Sequence, residues 1–556
     1  MTLRNDIAAL IEGDVSDDAS TLAKYSRDKS IFERKPALVV SPKHADDVSA
    51  VVRYVHEARA RGENISIAPR SAGTDMTGGP LSDSIVLEFT TYMNHIEHVS
   101  NDPDAPETGY AIAEPGVYYR DFEKATRAKI GKIIPSYPAS REICALGGMV
   151  GNNSGGELTL RYGQTARYVR ELEVVLSDGS RTTFAPLRMN ELAAKESEQN
   201  FEGEIYRKVH ALVRDNENEI EAARPSVSKN SAGYSLWNIW HKDHDMFDLT
   251  QLITGSQGTL AIVTSATLGL ITPKNGRAML VIFLSELDAL PEIVKRVLEH
   301  KPESFESYDD QTFRLAIRFL PQIVGHFGVW GMVKLAFAFI PEMWIALMGG
   351  VPKLILMAEF AEETLDEARK KAREAREALA DLPVRTKLVK SKTAAAKYWT
   401  IRRESFNLLR KNLRGLYAAP FIDDLVVHPN DYPEFLPELE RILEQYSLVY
   451  TIAGHIGDAD FHIIPLMDLS QPASRKAVTE LEDKVYRLVA KYKGSITGEH
   501  NDGIVRTPYL PLMFSPRMIE LFAEVKKIFD PLNILNPGKK VGGTLEDIER
   551  SMLTHM

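Results

Sequence analysis

Two histidines and a glutamate are the residues of this chain whose types and spacing best suit chemistry. His455 and His462 lie seven positions apart in AGHIGDADFHI, where glycine and aspartate are typical of a turn between two strands. Further along, TGEHNDG places Glu499 directly before His500. Two imidazoles and a carboxylate suit Zn²⁺, Mn²⁺ or Fe²⁺ and leave positions open for substrate oxygens. The pattern indicates either a metal centre or a turn whose histidines are structural.

An arginine pair in YWTIRRESF, Arg402 and Arg403, suits the binding of an acid. A guanidinium presents parallel N–H donors that match the two oxygens of a carboxylate. The alternative is an arginine on the surface of a helix.

Three loops rich in glycine, serine and threonine form the next motif. They read APRSAGTDMTGG at 68–79, LGGMVGNNSGGE at 146–157 and GSQGTLAIVT at 255–264. Glycine lets the backbone approach a ligand closely, so main-chain N–H groups can surround a pyrophosphate. The first loop fits neither G-x-G-x-x-G nor G-x-x-x-x-G-K-[ST], and alone it would equally be a structural turn. Three such loops beside strands indicate a large anionic cofactor.

The elements that must position these groups alternate between strand and helix. β-branched runs such as GTLAIVTSATLGLITP close a first region near residue 273. The strand-like RAMLVIFLSEL and the helix-like LPEIVKRVLEHK open a second region, which contains the histidine turn and an apolar insertion at 312–352. The chain predicts an α+β protein with domains at 1–273 and 274–500 and a C-terminal tail at 501–556.

Composition narrows the partners and the compartment. The 556 residues include 67 basic and 77 acidic side chains, a net charge of -10, which disfavours a nucleic-acid-binding face. Cys144 is the only cysteine, so this sequence provides neither an internal disulfide nor a Cys-ligated iron–sulfur cluster. Its start has acids where an export signal needs basic and apolar residues, so we expect a cytoplasmic location.

Together with NPGK at 536–539, the three loops resemble those of the FAD-dependent oxidoreductases related to vanillyl-alcohol oxidase, in particular the D-lactate and D-2-hydroxy-acid dehydrogenase branch. The resemblance extends over about residues 35 to 545. It implies a PCMH-type FAD-binding domain of two subdomains, followed by an α+β, ferredoxin-like substrate or cap domain. The helical tail would pack on the FAD domain and return NPGK to the flavin.

The resemblance also implies which residues surround the cofactor. The family's first loop usually reads Arg-Gly-Gly-Gly-Thr, whereas this chain has Ser71 and Ala72 at the first two glycine positions, and Gln257 stands where the third loop usually has glutamate. The implied FAD-binding residues are Arg70, Ser71, Ala72, Gly73, Thr74, Asp75, Thr77, Gly78, Pro138, Gly147, Gly148, Gly151, Asn152, Asn153, Gly156, Gly258, Ile262, Val263 and Asn536.

The histidine segments resemble two signatures of the same branch, Gly-His-x-Gly-Asp-Gly-Asn-x-His and Gly-Glu-His-Gly. The resemblance implies His455, His462 and Glu499 as ligands of a divalent cation, Zn²⁺, Mn²⁺ or Fe²⁺, with His500 as the catalytic base. Arg402 matches the family's Trp-x-x-Arg position and would bind the substrate carboxylate. Asp460 replaces the usual asparagine, and its carboxylate is expected to strengthen cation binding and to crowd an anionic substrate.

The implied activity is FAD-dependent oxidation of a D-2-hydroxy acid to the 2-oxo acid, with D-lactate as first choice and D-2-hydroxyglutarate or glycolate as alternatives. An alkylglycerone-phosphate synthase-type transferase and a non-catalytic flavin subunit of an electron-transfer complex are alternatives of other classes. Electrons would pass to an external acceptor such as a quinone, an electron-transfer flavoprotein or a cytochrome. The metal, the substrate's chirality and the oligomeric state stay open, with a homodimer as one hypothesis.

The apolar insertion at 312–352 raises a separate question of location. Its longest uncharged run, Phe319 to Val333, has 15 residues, fewer than the ~20 that a spanning helix requires. The insertion predicts either a buried helical pair or an interfacial segment. In the second case the protein would be peripheral on the inner face of the cell membrane, close to a quinone acceptor.

We predict that FAD is bound without a covalent link. Thr74 stands where many relatives attach flavin to a histidine, and Cys144 is out of register with the relatives that use sulfur. Acid precipitation should therefore release all of the flavin into the supernatant, measured by its absorbance. A yellow pellet would contradict the prediction.

Overall fold

The computed structural model describes residues 2–310, 352–389, 391, 394–402, 416–446 and 448–554. The predicted apolar insertion lies outside the described residues except for Pro352, as does Arg403. Within these ranges, no helix is both long and apolar enough to cross a bilayer.

The N-terminal region begins with a small sheet that is parallel except at one edge. A helix, Ala45–Ala60, buries Val48, Val51, Val52 and Val55, a spacing that places them on one helical face, in the same core as strand residues such as Val40 and Leu87. The strand order across the sheet is Asp14–Ser16, Leu38–Ser41, Ile85–Glu88 and Ile67–Arg70.

A second, antiparallel sheet completes this region. Its strand order is Ile96–Asn101, Thr108–Ala113, Ile262–Ile271, Val169–Val175 and Arg181–Phe184. A three-stranded ribbon lies beside it, with the order Trp240–His241, Met246–Phe247 and Leu187–Arg188. The central strand ends at Ile271, and the next strand, from Gly276, belongs to a different sheet. The chain therefore changes sheets in the stretch where the sequence predicts a domain boundary.

The second region is built on one eight-stranded antiparallel sheet. Its strand order is Arg385–Val389, Gly276–Leu284, Leu354–Glu362, Ser304–Asp309, Val449–His455, Asp460–Met467 and Tyr417–Ala418, and Leu425–Val426 also pairs with Asp460–Met467. Four helices share a core with one face of this sheet, namely Leu290–Glu299, Leu365–Glu377, Tyr432–Leu443 and Pro472–Lys491. Side chains on the other face, such as Thr451 and Ala453, line a cavity. One face of the sheet is thus covered by the four helices, whereas the other packs partly against Tyr398 and Ile401 and partly lines the cavity.

The other α-helices of the described ranges are Leu3–Ala8, Ala19–Tyr25, Tyr119–Ile130, Leu146–Asn152, Thr159–Tyr162, Met189–Ser197, Phe201–Asp215, Glu217–Ala222, Thr250–Ile253, Gly503–Arg506, Pro516–Phe529 and Leu545–Ser551. Short 3₁₀ turns lie at Thr165–Arg167, Leu236–Asn238, Lys242–His244, Pro429–Asp431, Ile456–Asp458 and Thr507–Leu512.

The C-terminal tail returns to the N-terminal region. The helix Pro516–Phe529 buries Leu521 and Phe522 in the core that also contains the helix Phe201–Asp215. Further on, Leu535 forms a parallel bridge with Ile67, and the N–H of Asn536 donates to the Ile67 carbonyl over 2.7 Å. NPGK is thereby fixed at the edge of the first sheet.

A buried lysine provides a test of how much this docking contributes to stability. Lys526 donates to Thr259 O over 2.7 Å, to Leu535 O over 2.6 Å and to the Asp530 carboxylate over 2.5 Å. Lys526→Met should lower the free energy of unfolding by about 3–5 kcal/mol, because the Asp530 carboxylate is left buried without its cation. Urea denaturation measures the change. Lys527→Met, at an exposed position of the same helix, should stay within about 0.5 kcal/mol of the parent; equal effects of the two changes would contradict the prediction.

Candidate active site

A cavity of about 740 Å³ lies between the two regions, a size typical of cofactor and ligand sites, about 300–1,000 Å³. The glycine-rich loops form one wall, and His455, His462, Glu499 and His500 lie on another. The residues that the sequence predicts for cofactor and for metal therefore open into the same space.

Most of the predicted cofactor residues line this cavity. They are Arg70, Ser71, Ala72, Gly73, Thr74, Asp75, Pro138, Gly147, Gly148, Gly151, Asn152, Gly258 and Val263. Thr77, Gly78, Asn153, Gly156, Ile262 and Asn536 are not among its lining residues. Asn536, for example, is buried and donates its amide to Gly79 O and Gln257 O, over 2.9 and 2.7 Å. These contacts join the C-terminal tail to the first and third glycine-rich loops.

The glycines of the second loop leave room beside the backbone. Gly148 and Gly151 belong to the helix Leu146–Asn152, and a Cβ added at either position would have no neighbouring atom within 4 Å. Both line the cavity, so the space that a side chain would fill belongs to the cavity. A cofactor can approach the main chain closely there, which fits a dinucleotide.

Gln257, on the third loop, contacts both other loops and the tail. Its amide nitrogen donates to Thr77 Oγ1 of the first loop over 3.5 Å. Its amide nitrogen donates to Asn152 Oδ1 over 3.2 Å, and its amide oxygen accepts from the Gly503 N–H over 2.9 Å. A glutamate, the usual residue in relatives, would have no donor for Asn152. Gln257, the residue that departs from the family pattern, therefore has a hydrogen-bond partner on the second loop.

Ser71 and Arg70 direct their side chains towards neighbouring backbone. The Ser71 hydroxyl donates to Pro115 O over 3.1 Å. The Arg70 guanidinium donates to Tyr25 O and Arg27 O, over 3.2 and 2.7 Å. Both residues fix the shape of the first loop through carbonyl groups.

The predicted turn between two strands is confirmed. His455 ends the strand Val449–His455, and Asp460 begins the next strand directly opposite it in the register. Gly454 is required because a Cβ there would lie 2.1 Å from Asp460 O. The register places His455 and His462 on the same face, with ring centroids 5.2 Å apart.

Three imidazoles converge on one carboxylate oxygen. Glu499 Oε1 lies 3.3 Å from His455 Nε2, 3.8 Å from His462 Nε2 and 3.9 Å from His500 Nε2. Nitrogen and carboxylate ligands this close are a donor set suited to a transition-metal ion.

Two further carboxylates hold the outer ring nitrogens. His455 Nδ1 donates to Glu306 over 2.7 Å and His462 Nδ1 donates to Asp423 over 2.9 Å, while His500 Nδ1 lies 3.2 Å from the other Asp423 oxygen. Because a carboxylate only accepts, these contacts place a proton on Nδ1 and direct Nε2 towards Glu499.

Asp424 positions the backbone of the Glu499–His500 pair. It accepts from the N–H of Glu499 over 2.9 Å and from the N–H of His500 over 2.8 Å. Asn501, which follows, donates its side-chain amide to Asn152 O and Gly255 O. The second and third loops therefore contact the segment that bears the proposed base.

Lys229 supplies a buried positive charge on the far side of Glu499. Its Nζ lies 3.0 Å from Glu499 Oε2, 3.3 Å from Asp460 Oδ2 and 3.6 Å from Asp458 Oδ2. Although burial opposes ionisation, Lys229 and then His455 hold the pKa of Glu499 well below its usual range.

The surrounding carboxylates raise the pKa of two histidines of the site. Burial favours the neutral ring, yet Glu306 raises the pKa of His455 to about 10. Asp424 and Asp423 likewise outweigh burial and raise the pKa of His500 to about 10. The site attracts positive charge, and the same field would favour a bound divalent cation.

Arg402 reaches this group from the helical segment 394–402. Its Nε lies 3.4 Å from Glu306 Oε2, and the residue lines the cavity. Glu306 thus contacts both His455 and Arg402.

Cys144 lines the cavity but is buried, and desolvation raises its pKa to about 12. A thiol that stays protonated is a poor nucleophile. This supports the prediction of flavin bound without a covalent link through sulfur.

Sequence reasoning did not identify Glu306, Asp423, Asp424 or Lys229 as site residues. A usable signal existed in PFIDDLVV, where two acids interrupt an apolar run of the kind that forms a buried strand. Lys229 directly precedes NSAGY, a segment that also resembles the pattern of the same family. No comparable local signal marks Glu306.

Comparisons with known proteins identify the family of the two regions. Residues 36–185 match the FAD binding domain, and residues 272–540 match the C-terminal domain of FAD linked oxidases. Together the two matches cover most of the chain, which therefore belongs to the family of FAD-linked oxidases.

Relatives carry the names of two hydroxy-acid dehydrogenases. The chain is 27% identical over 533 residues to the D-2-hydroxyglutarate dehydrogenase of Pseudomonas putida, covering 95% of this chain and 50% of that protein. It is 27% identical over 507 residues to the D-lactate dehydrogenase of Archaeoglobus fulgidus, covering 91% of each. The chain thus spans about half the length of the first relative.

Solved structures share the fold. p-Cresol methylhydroxylase matches with a TM-score of 0.66 at 15% identity, covering 98% of this chain and 96% of that one. Alkyldihydroxyacetonephosphate synthase matches with a TM-score of 0.63 at 15% identity, covering 94% and 83%. The expected PCMH-type flavoprotein fold is confirmed.

Gly148 offers a test of the cofactor wall. Gly148→Leu should fold, because a side chain there meets no neighbouring atom at Cβ and helix propensity favours leucine over glycine by up to about 1 kcal/mol. The side chain would occupy space needed by FAD, so we expect the dissociation constant for FAD to rise at least about tenfold, or 1.4 kcal/mol. Flavin fluorescence titration of the flavin-free protein measures it. Gly148→Ala should weaken binding less, whereas a Leu variant that binds FAD as the parent does would contradict the prediction.

Proposed function

We propose that the protein oxidises a D-2-hydroxy acid to the 2-oxo acid with FAD and one divalent cation, with D-lactate as first choice and D-2-hydroxyglutarate or glycolate as alternatives. The observation that carries the proposal is the convergence of three imidazoles on Glu499 in the same cavity as the glycine-rich loops. The names of the relatives support the substrate class.

His455, His462 and Glu499 would hold the cation. Four carboxylates, those of Glu306, Asp458, Asp460 and Glu499, share the positive charges of Lys229 and Arg402. The Nδ1 contacts of both histidines leave Nε2 as the ligand atom. Bound cation would lower the pKa of the substrate hydroxyl, and bound FAD would accept the hydride.

His500 and Arg402 would act directly on the substrate. Arg402 offers a guanidinium to its carboxylate. His500 Nε2 would accept the hydroxyl proton, since Asp423 faces Nδ1 and stabilises the imidazolium that forms. Charge that the cation brings to the site would favour the neutral ring from which this step begins.

The reduced flavin would pass its electrons to an acceptor outside this sequence, such as a quinone. Cytoplasmic location, peripheral association with the membrane and a homodimer remain parts of the same proposal.

The test is flavin bleaching under anaerobic conditions with a panel of D- and L-2-hydroxy acids. We expect D-lactate or another D-acid to bleach the flavin and its L-enantiomer to react far more slowly. Absence of bleaching by every hydroxy acid would contradict the proposal and favour the transferase or the non-catalytic flavin subunit.

Two variants separate the roles in the same assay. His500→Ala should slow bleaching by about 10²–10⁴-fold and keep the metal content of the parent, whereas His455→Ala should lose the metal. Metal-free protein that bleaches at the full rate would rule out the role of the cation.

A further inference from the structure

Asp460 occupies a position that the register of two paired strands fixes. It is the strand residue opposite His455 in the register, and His462 follows two positions later on the same face. The three side chains therefore project from adjacent points of two paired strands. This placement follows from the backbone register.

The Asp460 carboxylate is fully buried and only half satisfied. Oδ2 lies 3.3 Å from Lys229 Nζ, whereas Oδ1 has no hydrogen-bond partner among the residues that the structure describes. A buried carboxylate oxygen without a partner is costly in free energy. One atom each from His455, Asp460, His462 and Glu499 lies within 4.8 Å of the others.

Lys229 contacts one oxygen of each of two carboxylates and leaves the other oxygen of each without its charge. It contacts Oε2 of Glu499 and Oδ2 of Asp460, which leaves Glu499 Oε1 and Asp460 Oδ1 for another cation. Its single charge is also shared with Asp458. One lysine therefore faces three buried carboxylates.

We propose that Asp460 is a fourth protein ligand of the divalent cation, through Oδ1, beside His455, His462 and Glu499. This rests on the metal role proposed above. Four protein ligands would fill a tetrahedral Zn²⁺ site, whereas a six-coordinate ion such as Mn²⁺ or Fe²⁺ keeps two positions for the hydroxyl and carboxylate oxygens of the substrate. Binding of both substrate oxygens beside four protein ligands would therefore require a six-coordinate ion. The asparagine usual at this position would remove the extra charge.

Metal binding by the flavin-loaded, metal-stripped protein tests the proposal without relying on turnover. Mn²⁺ affinity is measured by competition with a chelator for the parent, Asp460→Asn and Asp458→Asn. Asp458 is the matched control, because it is also buried beside Lys229 and carries the same charge, but it is not part of the proposed ligand set. Asp460→Asn should weaken Mn²⁺ at least about tenfold more than Asp458→Asn.

Two measurements report on coordination itself. The d–d bands of bound Co²⁺ should change in Asp460→Asn and stay as in the parent in Asp458→Asn. In the parent, water-proton relaxation by bound Mn²⁺ should correspond to two coordinated waters, as four protein ligands require of a six-coordinate ion; this value needs no variant to fold.

The outcomes distinguish the two proposals. If the parent binds neither ion, the metal role fails and this inference fails with it. If the parent binds Mn²⁺ but the two asparagine variants weaken it equally, or if three waters are found, Asp460 is not a ligand and the proposed dehydrogenase function stands.

Discussion

Glu499 lies between a buried lysine on one side and three imidazoles on the other, and this arrangement of charge organises the interface of the two regions. Lys229 comes from the N-terminal region, whereas His455 and His462 come from the eight-stranded sheet. An ion pair this deeply buried is stable only if both partners are held in place. Asp424 and the Asn501 amide supply that restraint through the backbone and the glycine-rich loops.

The need to hold buried charged groups in place also explains why the carboxylates of Glu306 and Asp423 contact the outer nitrogens of the histidine rings. Glu306 and Asp423 line the cavity; each also holds an imidazole Nδ1, and Glu306 contacts Arg402. A site that must keep several rings in one tautomer and one orientation needs acceptors behind them. The residues around the cavity thus share partners, so that the proposed metal ligands, base and substrate arginine depend on two carboxylates.

On the cofactor side, two amide side chains join the loops to one another and to the tail. Gln257 links Asn152 to Gly503, and Asn536 links the tail to the first and third loops. Amides can donate and accept at once, which suits loops whose own N–H groups must remain free for an anionic ligand. These amides act beside two charged residues of the first loop, Arg70, which donates to Tyr25 O and Arg27 O, and Asp75, which accepts from the Asn152 amide.

Local pattern in the sequence determined the strand–turn–strand unit with its two histidines, the glycine-rich loops beside strands and the change of sheet after Ile271, because spacing and turn residues act over a few positions. Through its resemblance to a family it also predicted the FAD cofactor and the roles proposed for Glu499 and His500. Tertiary structure alone decided that Lys229, Glu306 and Asp423 meet these residues, since they are 270, 149 and 39 positions from their partners. Contacts at such separations depend on sheet order and domain docking, which no local pattern encodes. The apolar insertion at 312–352 counts neither among the features that local sequence determined nor among those that the tertiary structure decided, because all of it except Pro352 lies outside the described residues.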